Sequence, residues 1–242
     1  MLISRKISEI GNGLNFYDLK SKENFFLTID TDWCHEDILL DTLSILEKYH
    51  AKATIFMTNK FDCLSYLQKN KSSYELGIHP NFNNLLEGKN TKEDSINEVI
   101  DSLMNLLPSA LSIRSHSLVT SSKLTSIFYS KGLSHESNIK IPLNSGQTIY
   151  PFVHPTGMVM CPFQWGDYSD ENGQPIKFKL PNYFMANFHP IHIFLNTESI
   201  GRYEQTRLLH MNPAELIKHR FKGYGVRNRL VDLLKLCVDS PE

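Results

Sequence analysis

Short apolar runs with strand character alternate with helix-like segments along most of this chain, and that alternation restricts the fold more than any other feature. "NFFLTID" reads as a strand and "EDILLDTLSILEKYH" as a helix, with Leu39, Leu43 and Leu46 at helical spacing. "AKATIFMT" is again a strand, "FDCLSYLQKN" a short helix, and "SYELGIH" a strand ending at His79, because Pro80 has no N–H to give to a ladder. "TKEDSINEVIDSLMNLL" predicts a helix with Thr91 and Asp94 at its start and Ile96, Val99, Ile100, Leu103 and Leu107 on one face. "ALSIRSH", "SSKLTSIFYSKG" and "LSHESNI" continue as strand, helix and strand. Strands alternating with helices give parallel βαβ units. An open doubly wound sheet and a closed barrel both satisfy that, and the number of repeated steps favours an α/β barrel in one domain over residues 1–242.

From about residue 140 to 181 the pattern loosens into an aromatic-rich insertion containing Tyr150, Phe152, Phe163, Trp165 and Tyr168. A long loop of this kind in a compact domain is usually functional or disordered, and the aromatics argue against disorder. "YFMANFHPIHIFLN" reads as the returning strand, and residues 199–239 as mainly helical.

In a barrel the chemistry gathers where strands end. Those ends carry Asp30 and Asp32, then His79 with Pro80, Asn81 and Asn83, then Arg114 and His116, then His189 and His192. A strand extended through Thr31 puts Asp30 and Asp32 on one face with Thr28. Two carboxylates side by side repel unless a cation or a proton intervenes. A metal answers that demand: one carboxylate could bind it while the other takes a proton from water. Oxygen and imidazole donors suit zinc, with manganese or cobalt as alternatives. The plain structural alternative is that Asp32 only caps the helix near Glu36.

A net charge of −1 provides no field for nucleic acid or an anionic membrane. No run of about 18 apolar residues exists, so no membrane span is expected. "MLISRKISEIGNG" lacks the apolar core of a signal peptide, and the four cysteines have neither zinc-finger nor redox-motif spacing. The expected location is the cytoplasm.

"FFLTIDTDWCHEDILLDTLSILEKYHAKATIFMT" resembles the opening of the polysaccharide deacetylase family, the nodulation-type deacetylase homology domain, whose first motif is Thr-Phe-Asp-Asp followed by a helix and an Ala-Thr-Phe-Phe strand. "ELGIHPNFN" resembles its His-containing second motif, "RSHS" its Arg-x-Pro motif and "NFHP" its late His motif. The likeness covers roughly residues 23 to 195 and is nearest to the branch associated with lipopolysaccharide O-antigen clusters. It implies a distorted (β/α)7 barrel and one divalent metal, zinc first, with manganese, cobalt or nickel as alternatives. It implies an acetylated sugar as substrate, with removal of an N- or O-linked acetyl group. Carried over, Asp30 becomes the general base, Asp32 and His79 metal ligands, Arg114 the partner of the base, and His189 the general acid with His192 as understudy. Two departures stand out. Thr31 separates the aspartates, and Asn83 stands where the family has a second ligand histidine, which leaves Asn83 or His116 to complete the shell. Trp165 and Tyr168 are candidate sugar-binding residues. A catalytically inactive carbohydrate- or metal-binding module, or an amide or formamide hydrolase on the same scaffold, are the competing functions.

Overall fold

The computed structural model describes residues 2–89, 95–168 and 179–238. Its strands are β1 (Ile3–Arg5), β2 (Asn24–Asp30), β3 (Ala53–Met57), β4 (Tyr74–Ile78), β5 (Ser112–Ile113), β6 (His135–Glu136), β7 (Phe152–Val153), β8 (Val159–Met160), β9 (Trp165–Gly166) and β10 (Tyr183–Phe188). They form one sheet in the order β7-β8-β6-β5-β4-β3-β2-β10-β9, with β1 beside the start of β2. Every pairing is parallel except β7 with β8.

The sheet curls until its two sides meet on one irregular segment, residues 159–166. On one side Val159, Cys161 and Phe163 donate to the carbonyls of Ser134, Glu136 and Ile139. On the other, Gln164 donates to Met185, and β9 pairs with β10. β8 and β9 are thus two short pieces of one bent closing strand. This is the distorted barrel that the alternation and the family likeness led us to expect.

The strand period of two sorts β2 into two layers. Phe25, Leu27 and Ile29 face outward into the main core, where the helices Glu36–Lys48, Ile96–Leu106 and Val226–Val238 bury Leu39, Leu43, Ile100, Leu103, Leu230 and Leu234. Phe26 faces inward and packs with Phe56, Phe163, Tyr183 and Met185, which fill the barrel's lower half. Gly77 in β4 is required by that filling: a Cβ there would lie 2.7 Å from the Phe56 ring. Above this apolar plug comes a polar layer of Thr28, Arg114, Ser137 and Asn187, and above that the C-terminal rim.

Three local expectations need correction. The chain is not extended through Asp32. β2 stops at Asp30, and Asp32 and Trp33 adopt left-handed backbone angles, φ 40° and 55°. "FHPIH" does not continue the strand: Phe188 ends β10, and Pro190 begins the helix Pro190–Leu195 at the position where its missing N–H costs nothing. The aromatics of the insertion do not act together as sugar-binding candidates: Phe163 and Trp165 are buried, Phe152 is exposed, and Tyr168 lines the rim cavity. The helix start expected at Thr91 and Asp94 lies outside the described residues, and the described helix is capped by Ser95, which accepts from the Glu98 N–H. Among the described residues, no helix is long and apolar enough to cross a membrane.

Candidate active site

Each rim residue is delivered by the last ladder bond of its strand. Thr31 N donates to Phe56, His79 N to Met57, Arg114 N to Ile78 and Ser137 N to Ile113, so the residues following β2, β4 and β5 emerge together at one end of the barrel. They line a cavity of about 440 Å³.

Asp32 is at the centre. Its Oδ1 lies 3.1 Å from His79 Nε2 and 3.2 Å from His116 Nδ1, and its Oδ2 lies 3.4 Å from His189 Nε2. Burial favours the neutral acid, but the charge of His189 and the hydrogen bonds from His116 and His79 outweigh it and hold the carboxyl well below the usual range. One ligand atom from each of Asp32, His79 and His116 falls within a 4.8 Å cluster. A carboxylate oxygen and two imidazole nitrogens converging on one point fit a borderline-soft divalent ion such as zinc. The cap role belongs elsewhere: His35, not Asp32, accepts from the Asp37 N–H at the start of the helix Glu36–Lys48.

Asp30 is anchored from beneath. Arg114 is fully buried and reaches Asp30 Oδ1 at 3.0 Å while also donating to Thr28, Asn187, and the carbonyl and hydroxyl of Ser137. Its guanidinium is held between the rings of Phe56 and Phe163, at 4.7 and 4.6 Å. Asn187 Nδ2 donates to Asp30 Oδ2 at 2.7 Å. A buried ion pair with all its oxygens and protons engaged is the form that low-dielectric surroundings tolerate.

His189 caps the Pro190–Leu195 helix and turns its ring into the cavity. Both Asp167 oxygens bind it, one at the backbone N–H (2.5 Å) and one at Nδ1 (2.6 Å). Its Nε2 is thereby left facing Asp30 and Asp32, at 3.8 and 3.4 Å. Burial alone would favour the neutral ring, yet Asp167, Asp32 and Asp30 together push it up to about 10.

Several expected residues occupy other roles. Asn83 donates its amide to Ser117 Oγ at 3.0 Å and is not among the residues that line the Asp32 cavity, whereas His116 lines it and belongs to the Asp32 cluster. His192 does not suit a proton donor: burial, only partly opposed by Asp167, lowers it to about 4, and its Nδ1 contacts Thr197 Oγ1. Trp165 cannot serve as a sugar platform, being 5% exposed and packed between Phe188 and Arg229. Tyr168 does reach the cavity, edge-on to His189 with ring centres 6.0 Å apart.

Sequence reasoning missed Asp167, Asn187, Trp33, Tyr203 and His210, all of which bind site residues or line the cavity. Asp167 directly follows β9 and would have been found by the same strand-end logic, had so short a strand been legible. Asn187 is two residues before His189, on the inward face of an apolar strand. Tyr203 and His210 come from the C-terminal helices, which carry no strand-end signal.

A family model described as a WbmS-like polysaccharide deacetylase matches residues 27–207. A crystal structure of a putative polysaccharide deacetylase involved in O-antigen biosynthesis, WbmS of Bordetella bronchiseptica, is similar with 32% identity and a TM-score of 0.85, covering 97% of each chain. A putative polysaccharide deacetylase from Mycobacterium smegmatis aligns at 14% identity and a TM-score of 0.45, over 90% of this chain and 92% of that one. No curated protein matches.

Proposed function

Because the chain belongs to the WbmS-like polysaccharide deacetylase family, we propose that it is a metal-dependent hydrolase that removes an acetyl group from an N-acetylated amino sugar during surface-polysaccharide assembly. The observation that carries this reading is the convergence of His79, His116 and His189 on Asp32, beside an Asp30 fixed by Arg114. The polysaccharide setting draws on the Bordetella protein, whose description is involvement in O-antigen biosynthesis. Four free cysteines fit a reducing compartment, and we assign the reaction to the cytoplasm.

Asp32, His79 and His116 would hold one divalent ion, zinc by donor type. When bound there, the ion supplies Lewis-acid polarisation of the acetyl carbonyl and makes water a nucleophile near neutral pH. Asp30, unable to swing because Arg114 and Asn187 grip both its oxygens, takes the proton from the attacking water. The water oxygen bonds to the acetyl carbon, and the bond from that carbon to the sugar nitrogen breaks. His189, kept protonated by Asp167, gives its Nε2 proton to the departing nitrogen. Acetate and a free amino sugar leave. A base and an acid set apart by their surroundings divide the two proton transfers.

The test is acetate release from N-acetyl-D-glucosamine and N-acetyl-D-galactosamine by chelator-treated protein, before and after one equivalent of zinc. The stripped protein should be inactive and zinc should restore turnover. Equal release without metal would refute the metal-dependent reading, and formate or ring-opened product in place of acetate would redirect it to another amide.

A further inference from the structure

The cavity has an indole at its mouth that the reaction above does not use. Trp33 is 42% exposed and lines the cavity, with its ring edge-on to that of His116 at 5.2 Å between centres. Its backbone is left-handed, as is that of Asp32 before it. A bulky L-residue keeps such a conformation only where its surroundings impose it, and such residues gather at ligand clamps. Here the surroundings do impose it. Trp33 N–H donates to Thr58 Oγ1 at 3.0 Å, Thr58 N–H donates to Thr31 Oγ1 at 3.1 Å, and Cys34 N–H donates to the Thr31 carbonyl at 2.9 Å. The elbow that aims Asp32 at the imidazoles therefore also holds the indole out over the cavity.

We propose that Trp33 is the sugar platform of this site, a wall on which the C–H-rich face of a neutral N-acetylamino pyranose lies while its acetyl arm reaches the Asp32 cluster. This rests on the deacetylase reading. Two geometric facts favour it. The indole sits one ring away from His116, so a sugar resting on it has its substituents within reach of the cluster. Tyr168, also half-exposed, stands on the His189 side of the same cavity, but the Lys140 ammonium lies over its ring at 4.2 Å from the centre, which leaves the platform role to Trp33. The indole then supplies the apolar contact that positions the sugar ring.

The chain has two tryptophans, and the other, Trp165, is buried, so sugar-dependent changes in indole emission report on Trp33. Zinc-loaded wild type, Trp33→Phe and Trp33→Ala are titrated with N-acetyl-D-glucosamine and N-acetyl-D-galactosamine, following emission and acetate release, with zinc content as the check on folding. We expect a saturable blue shift in wild type that Trp33→Phe abolishes. We also expect KM to rise about 10-fold in Trp33→Ala and less in Trp33→Phe, with kcat within about 3-fold. Acetate release with an unchanged KM in zinc-loaded Trp33→Ala would overturn the platform and leave the deacetylase reading standing. A saturable emission change without acetate release would support the platform and sink deacetylation. Neither signal from either sugar would overturn both.

Discussion

Asp30 and Asp32 are separated by one threonine, yet they occupy opposite kinds of surroundings. Asp30 is buried over a guanidinium that is itself locked between two aromatic rings, and both of its oxygens are taken by fixed donors. Asp32 is partly open to the cavity, sits on a left-handed elbow, and faces three imidazoles. The first is finished by protein donors. The second keeps an open side toward the cavity and, on the reading proposed above, awaits an ion. Chemistry that needs one immobile proton acceptor and one ligand for an ion can be built from two identical side chains, provided that the strand ends between them.

The strongest way to break this comparison is to neutralise Asp32. Asparagine keeps the side-chain shape and tolerates positive φ, so Asp32→Asn should preserve the elbow while removing the charge. Calorimetric zinc titration should show affinity reduced by 100-fold or more, on the order expected for losing a charged ligand that three imidazoles surround, and acetate release should vanish. Retained zinc binding would mean that the ion site lies elsewhere. Asn83→Ala, by contrast, should leave zinc affinity within about 2-fold, because Asn83 is not among the residues that line the Asp32 cavity.

Arg114→Met probes the other carboxylate. It strands Asp30 in a buried site without its cation, which typically costs about 3–5 kcal/mol. Urea unfolding of the zinc-free protein should register that loss, and Asp32→Asn should cost less in the same assay. Similar losses for the two variants would erase the distinction between a finished and an awaiting site.

Asp167→Asn perturbs the acid and leaves both carboxylates of the comparison in place. As a proton donor, His189 works while protonated, so turnover is full below its pKa and falls as pH rises through it. Asp167 is the leading group that raises that pKa against burial. Removing its charge should move the alkaline limb of kcat to lower pH by roughly 1 to 3 pH units, with little change near the acid side. An unmoved limb would assign it to another group.

Much of this was legible in the sequence. β2 and β3 were marked by apolar and β-branched runs and β4 by the proline that follows His79, and the ends of β2 and β4 gave Asp30, Asp32 and His79 directly. Arg114 and His116 followed from a strand only two residues long because "ALSIRSH" carries its own apolar lead-in. What escaped was set by tertiary contact. The bend at Asp32 is held by Thr58, which is 26 residues further on, so no local pattern announces it. β9 is two residues long and non-periodic, which hid Asp167. Trp165 looked like a sugar-binding residue because exposure is not written in composition: its neighbour Arg229 comes from the last helix. "FHPIH" mixes a strand ending and a helix opening, and only the proline distinguishes them.

The irregular segment 159–166 has a consequence for assembly. It is the only described stretch that bonds to both β6 and β10, and the residue just beyond it is Asp167. The ion cluster of Asp32, His79 and His116 depends on β2 to β5, which follow one another along the chain. The acid depends on the seam. Opening the bonds of residues 159–166 would therefore take Asp167 away from His189 and leave the grouping of Asp32, His79 and His116, carried by β2 to β5, in place.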